Sequence, residues 1–108
     1  MGYVYLLLEV DKDGNERHKI GITRKSVDKR VKQLQTGNSN KIQCLHSFQT
    51  EHFFKVEGWL HKKYNVQKTE TKNEWFTLTN EQVGSFINDC IEIEKKVVYL
   101  LENNPFYK

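Results

Sequence analysis

No apolar run in this sequence approaches the roughly 20 residues that span a bilayer, so a membrane partner is not expected. The opening MGYVYLLLEV enters a strand-like alternation directly, without the basic and then apolar layout of a signal peptide. Cytoplasmic residence is the resulting expectation. Cysteine is scarce: Cys44 and Cys90 are the only two, too few for the disulfide scaffold of a small secreted domain, and are expected to be reduced thiols. A strong charge of one sign is also missing. The 17 Lys and Arg against 14 Asp and Glu leave a net charge of +3, compatible with a polyanionic partner without requiring one. There is no internal repeat and no low-complexity segment, and the single proline, Pro105, falls just past the last helical pattern. A length of 108 residues suits one domain, 1–108.

What is present reads as an ordered series of elements. Residues 2–10 alternate, with Tyr3, Tyr5 and Leu7 on one side and Val4, Leu6 and Leu8 on the other. DKDGN supplies a turn, because Gly14 and Asn15 tolerate positive φ, and residues 16–23 return as the second strand of an antiparallel hairpin. Ser26 is an N-cap for a helix to about Leu34, with Val27, Val31 and Leu34 inward and Gly37 as the breaker. IQCLHSFQT fits a third strand. Between Glu51 and Tyr64 the spacing of Phe53, Val56 and Leu60 is helical, with Phe54, Glu57, His61 and Tyr64 on an adjoining stripe. EWFTL reads as a last short strand. Thr79 with Gln82 forms a capping box that opens a long helix, about 80–102. The order β-β-α-β-α-β-α predicts an α+β fold: a small antiparallel (mixed) sheet with helices packed against it.

Basic residues cluster in RHKIGITRKSVDKRVKQ and in HKKYNVQK. Strand pairing would set Tyr3 and Tyr5 on the sheet face that carries Lys19, Gly21 and Thr23. The glycine is expected to leave a patch of backbone that something can approach. The next helix carries Arg30, and the one after it carries Glu57 and His61, one turn apart on one face. His46, His52 and Cys44 show no CxxC or HxxxH spacing, so a zinc site is not expected. Trp75 and Phe76 are expected in the core. Asn73 and Glu74 stand at the strand entrance, and spacing does not choose between them as site residues.

This layout resembles the GIY-YIG nuclease superfamily, in particular its small phage-type branch. The resemblance is carried in order by YVY, KIGIT, SVDKR, LQTGN, EGWLH and NEWF. Three positions depart from the pattern: Tyr3 replaces the first family glycine, Lys19 replaces the tyrosine of YIG, and Leu34 stands where many members have His or Tyr. The resemblance implies a metal-dependent DNA endonuclease, with the aromatic base, arginine, metal-binding glutamate and late polar residue on Tyr5, Arg30, Glu57 and Asn73. The chemistry asks for such a set in its own right. Hydrolysing a phosphodiester needs a base for water, cations for the phosphoryl oxygens and a carboxylate for a divalent ion. Tyr5 would be the base, with Lys19, Arg24 and Arg30 as the cations. The planar fork of Arg30 suits phosphate. Glu57 would hold Mg²⁺ (or Mn²⁺), and His61 would orient it or donate to substrate.

Tyr3, Gly21, Thr23, Arg24, Lys25 and Lys32 are the expected substrate-binding residues, and DNA the expected partner. No appended reader such as a helix-turn-helix is recognisable, so the unit would either have little specificity or depend on a targeting partner protein; a homodimer is also compatible with the sequence. The alternative is a catalytically weak nucleic-acid-binding module of the same fold. A third reading makes the chain an adaptor whose final helix presents Ile93, Val97 and Leu100, with its FYK tail, to a partner.

Overall fold

A computed structural model describes residues 1–64, 68–70 and 75–107. Strands β1 (Gly2–Val10) and β2 (Glu16–Thr23) form the expected hairpin. Its turn is closed by Asp11, whose Oδ1 accepts from the backbone N–H groups of Asp13 and Asn15, both at 2.9 Å. Gly14 takes the positive φ, 82°, that this turn needs. Helix α1 (Val27–Gln35) follows, capped by Ser26, whose Oγ accepts from the Lys29 N–H. Strand β3 (Lys41–Thr50), helix α2 (Phe53–Lys63), strands β4 (Lys68–Glu70) and β5 (Trp75–Phe76) and helix α3 (Asn80–Asn103) complete the chain.

The sheet has five strands in the order β3-β1-β2-β5-β4, and every pairing is antiparallel. The α+β class and the element order match the sequence reading, with β4 as an added strand. Three residues, KTE, offer no apolar alternation to read, and β4 exists through its pairing with β5. The capping box of α3 has both arms, Gln82 N–H to Thr79 Oγ1 at 3.2 Å and Thr79 N–H to Gln82 Oε1 at 2.9 Å. Among the described residues no helix is long and apolar enough to cross a membrane.

Period-two alternation sends β1 into two different layers. Val4 and Leu6, with Ile20 beside them on β2, join Phe53, Val56, Leu60, Phe86, Cys90, Ile93 and Val97 in one buried cluster beneath α2 and α3. Each fully buried Leu, Val or Phe there contributes about 1.5–3 kcal/mol over an exposed one. Tyr3, Tyr5, Leu7 and Glu9 point the other way, towards the side of α1. That helix has no fully buried residue: Val27, Val31 and Leu34 are inward as expected but only half-buried. Ile93 and Val97 are core residues of α3 and are not presented to a partner, whereas Leu100 is half-buried and Phe106 of the tail is exposed.

Polar ties fix the layers to each other. Tyr64, at the end of α2, donates its hydroxyl to Asp89 of α3, and burial with that partner raises Tyr64 well above the ordinary phenol range. On the α1 side, Gln35 donates to the carbonyls of Asn38 (3.1 Å) and Asn40 (2.7 Å) and accepts from the Ile42 N–H (2.9 Å). The LQTGN stretch is therefore a folded connection, with Gly37 at φ 77°. Both cysteines are free thiols, and burial pushes Cys90 up to about 12.

Candidate functional site

The hairpin register decides which side chains meet. Tyr3 pairs with Thr23, Tyr5 with Gly21, and Leu7 with Lys19, so the expected face does carry Tyr3, Tyr5, Lys19, Gly21 and Thr23 together. Gly21 plays a different part from the one expected of it. The Tyr5 ring lies across the glycine, and a Cβ built at residue 21 would sit 2.5 Å from the Tyr5 hydroxyl oxygen. The absent side chain is thus filled by Tyr5 and does not leave open backbone. The tyrosine is 1% exposed.

Arg30 reaches this point from α1. Its Nε donates to the Tyr5 hydroxyl at 3.5 Å, and its Nη1 donates to Gln33 Oε1 at 3.4 Å. The first contact is at the long limit for a hydrogen bond, so a better acceptor, such as a phosphate oxygen, can draw the guanidinium away. Residues 25 positions apart in sequence have been joined into a phenol and cation pair.

Lys19 occupies the same face one strand pair along. Its Nζ lies 5.6 Å from the ring of Trp75, its cross-strand partner. Arg17 covers the same indole at 4.0 Å and forms an ion pair at 3.2 Å with Glu9, which is buried. Asn40 also donates to Glu9, at 2.7 Å. Trp75 is buried as expected, but it also serves as a platform under two cations. Arg17 was not singled out in the sequence, although its alternation with Lys19, Gly21 and Thr23 puts it on the site face.

Glu57 and His61 stand together on α2, the helix that packs on the sheet face opposite to that of Tyr5 and Lys19, with Oε2 and Nε2 3.9 Å apart and side-chain exposures of 20% and 13%. The His61 ring packs on Phe76 of β5, centroids 5.3 Å apart. Glu57 fits a hard divalent ion, because Mg²⁺ keeps several waters and takes only one or two carboxylates beside substrate phosphates. A transition-metal cage would need more: among the described residues no group of three or more His, Cys, Asp or Glu could hold a metal. Asn73 and Glu74 lie outside the described residues.

The other expected substrate contacts are peripheral. Arg24, Lys25 and Lys32 are exposed, and Thr23 Oγ1 accepts from the Lys25 N–H at 3.1 Å, which shapes the link into α1. On the opposite face of β2, His18 is buried and its Nδ1 accepts from the Leu78 N–H at 3.2 Å. It is a structural histidine.

Compared with known families, residues 2–92 match the model of the T5orf172 domain. The chain belongs to the T5orf172 domain family. No curated protein and no solved structure matches it. The T5orf172 match takes in the whole sheet, α1, α2 and the first half of α3, and so includes Tyr5, Lys19, Arg30, Glu57 and His61. The last turns of α3 and the tail beyond lie outside it. That tail is tied back: the Trp59 indole N–H donates to the Tyr107 hydroxyl at 2.8 Å, and Lys55 Nζ lies 4.8 Å from the Tyr107 ring centre.

Proposed function

We propose that this T5orf172 domain is a metal-dependent DNA endonuclease of the GIY-YIG type, hydrolysing phosphodiester bonds by attack of an activated water. One observation carries the reading: the Tyr5 phenol, seated on Gly21, receives the Arg30 guanidinium. A proton acceptor and a phosphate-binding fork converge there on a face that also carries Lys19.

In this reading Arg30 turns from the phenol to the scissile phosphate and donates two parallel N–H bonds to its oxygens. The Tyr5 oxygen, acting as phenolate after its own hydroxyl proton has been lost to solvent, takes a proton from the attacking water and becomes the phenol again. Lys19 offsets charge on the phosphate from the next strand pair. Glu57 would hold Mg²⁺ or Mn²⁺, and a bound ion would stabilise the charge that grows on the phosphoryl and leaving oxygens. His61, 3.9 Å from Glu57, orients the carboxylate.

The test is incubation of the purified protein with supercoiled plasmid and Mg²⁺ or Mn²⁺. Nicked circles are expected from the wild type and none from Glu57→Ala. Absence of nicking by the wild type, or equal nicking by the variant, overturns the proposal.

A further inference from the structure

Phe53 and Phe54 open α2 with opposite fates. Phe53 is 7% exposed and Phe54 is 61% exposed. The first is seated firmly: a Cβ on Gly2 would come within 2.7 Å of its ring, so the start of β1 is kept small to admit it. The second is propped on the first, with ring centroids 4.7 Å apart and planes tilted by 34°. Arg24, from the end of β2, places its guanidinium carbon 5.4 Å from the Phe53 ring centre and 5.7 Å from that of Phe54. An exposed phenyl backed by a buried ring and flanked by a cation is thus held in place before any ligand arrives.

Its position gives it a use. Phe54 precedes Glu57 by three residues and His61 by seven, so all three share one side of α2. The spacing from Phe54 to Glu57 is less than one 5.4 Å helical turn. A strand whose phosphate sits beside Glu57 brings a neighbouring nucleotide to Phe54, and Arg24 with exposed Lys25 supplies positive charge for the phosphate of that nucleotide. A paired base is already stacked within its duplex and offers its face to a side chain only at the cost of unstacking it. An unpaired base offers it without that cost, and stacking of that kind tolerates any sequence because every base has a π face.

We propose that Phe54, backed by Phe53 and flanked by Arg24, is the stacking platform for an unpaired nucleobase next to the cut phosphate. The preferred substrate class is then DNA with unpaired nucleotides, such as a single strand or an overhang, and not continuous duplex. This rests on the nucleic-acid reading above and adds the substrate class to it.

The test is metal-free binding in a chelator, which keeps it independent of cleavage. An oligonucleotide carrying 2-aminopurine, single-stranded or fully paired, is titrated with wild type, Phe54→Ala and Phe54→Trp. Tighter binding of the single strand is expected, with the fluorescence quenched as the base stacks. Phe54→Ala should weaken single-strand binding roughly 5- to 160-fold, leave duplex binding unchanged, and melt as the wild type does. Phe54→Trp should bind as the wild type or better. The platform is overturned if the wild type binds duplex as tightly as single strand, or if Phe54→Ala binds single strand like the wild type. Should Phe54-dependent single-strand binding persist while neither plasmid nor single-stranded DNA is cut in the presence of metal, the platform stands and the endonuclease fails. Nicking without any Phe54 dependence of binding has the opposite meaning.

Discussion

The hydroxyl of Tyr5 lies 2.5 Å from the point a Cβ of Gly21 would occupy. The two residues are direct cross-strand partners, and the pair accounts for the glycine in KIGIT. β2 gives up a side chain so that a phenol can lie flat on its backbone, beneath the arginine of α1. Strand pairing thereby fixes the position of the candidate base.

Gly21→Ala should therefore be costly. Three atoms of Tyr5 come within 2.8 Å of the new methyl group, and a ring that is 1% exposed has no open space to enter. A loss of about 1–3 kcal/mol is expected, as for overpacking of a core, read by urea denaturation. Gly84→Ala is the control, since nothing lies within 4 Å of a Cβ there. In the α3 helix it should stabilise by about 0.5–1 kcal/mol.

Stability should also fall in mild acid because of His18. Burial lowers this histidine below its ordinary value, and its Nδ1 is occupied by the Leu78 N–H. Above the unfolded value of about 6.5 both states are neutral there and the folded state keeps its full advantage. As the pH falls below that value the unfolded chain gains a proton that the folded one resists, so stability declines towards the lower folded value. His18→Asn, whose Oδ1 can accept the same N–H, should flatten the slope between pH 7.5 and 5.5 in denaturation experiments.

Much of this was legible in the sequence, and what was not has physical reasons. Alternation in GYVYLLLEV gave β1 and its two faces, and Thr79 with Gln82 gave the start of α3, because both are local patterns. The face shared by Tyr5, Lys19 and Gly21 followed from assuming a hairpin. The contact between Tyr5 and Gly21 did not, since an absent side chain reads equally as open backbone or as room for a neighbour, and only three-dimensional packing decides. Arg17 on Trp75 depends on β2 meeting β5 across more than fifty residues, which no local spacing reports. The exposure of Phe54 beside buried Phe53 is also a tertiary fact: helical periodicity put Phe54 on the Glu57 stripe but could not show that its ring is left uncovered.

Tyr107→Phe should release the tail without disturbing the site. The hydroxyl accepts the Trp59 N–H at 2.8 Å, and such a bond makes a net contribution of about 0.5–1.5 kcal/mol. A small drop in melting temperature and a shift in tryptophan emission are expected. Plasmid nicking should be unchanged, because Tyr107 lies beyond the span matched by the family and the substitution alters none of Tyr5, Lys19, Arg30 or Glu57.

The assignment of roles on the hairpin face is tested by three variants. Tyr5→Phe keeps the ring that packs on Gly21 and loses only the oxygen, so cleavage should vanish while DNA binding, which rests on cations, stays nearly intact. Lys19→Met keeps an unbranched chain against Trp75 and removes the charge. Binding and turnover should then both fall, and the salt dependence of binding should weaken by about one phosphate contact. Lys19→Tyr puts a phenol beside the same indole and should retain measurable activity. If Tyr5→Phe cleaves at the wild-type rate while Lys19→Met is dead, the proton acceptor is Lys19 in its neutral form, and Tyr5 serves only to cover Gly21.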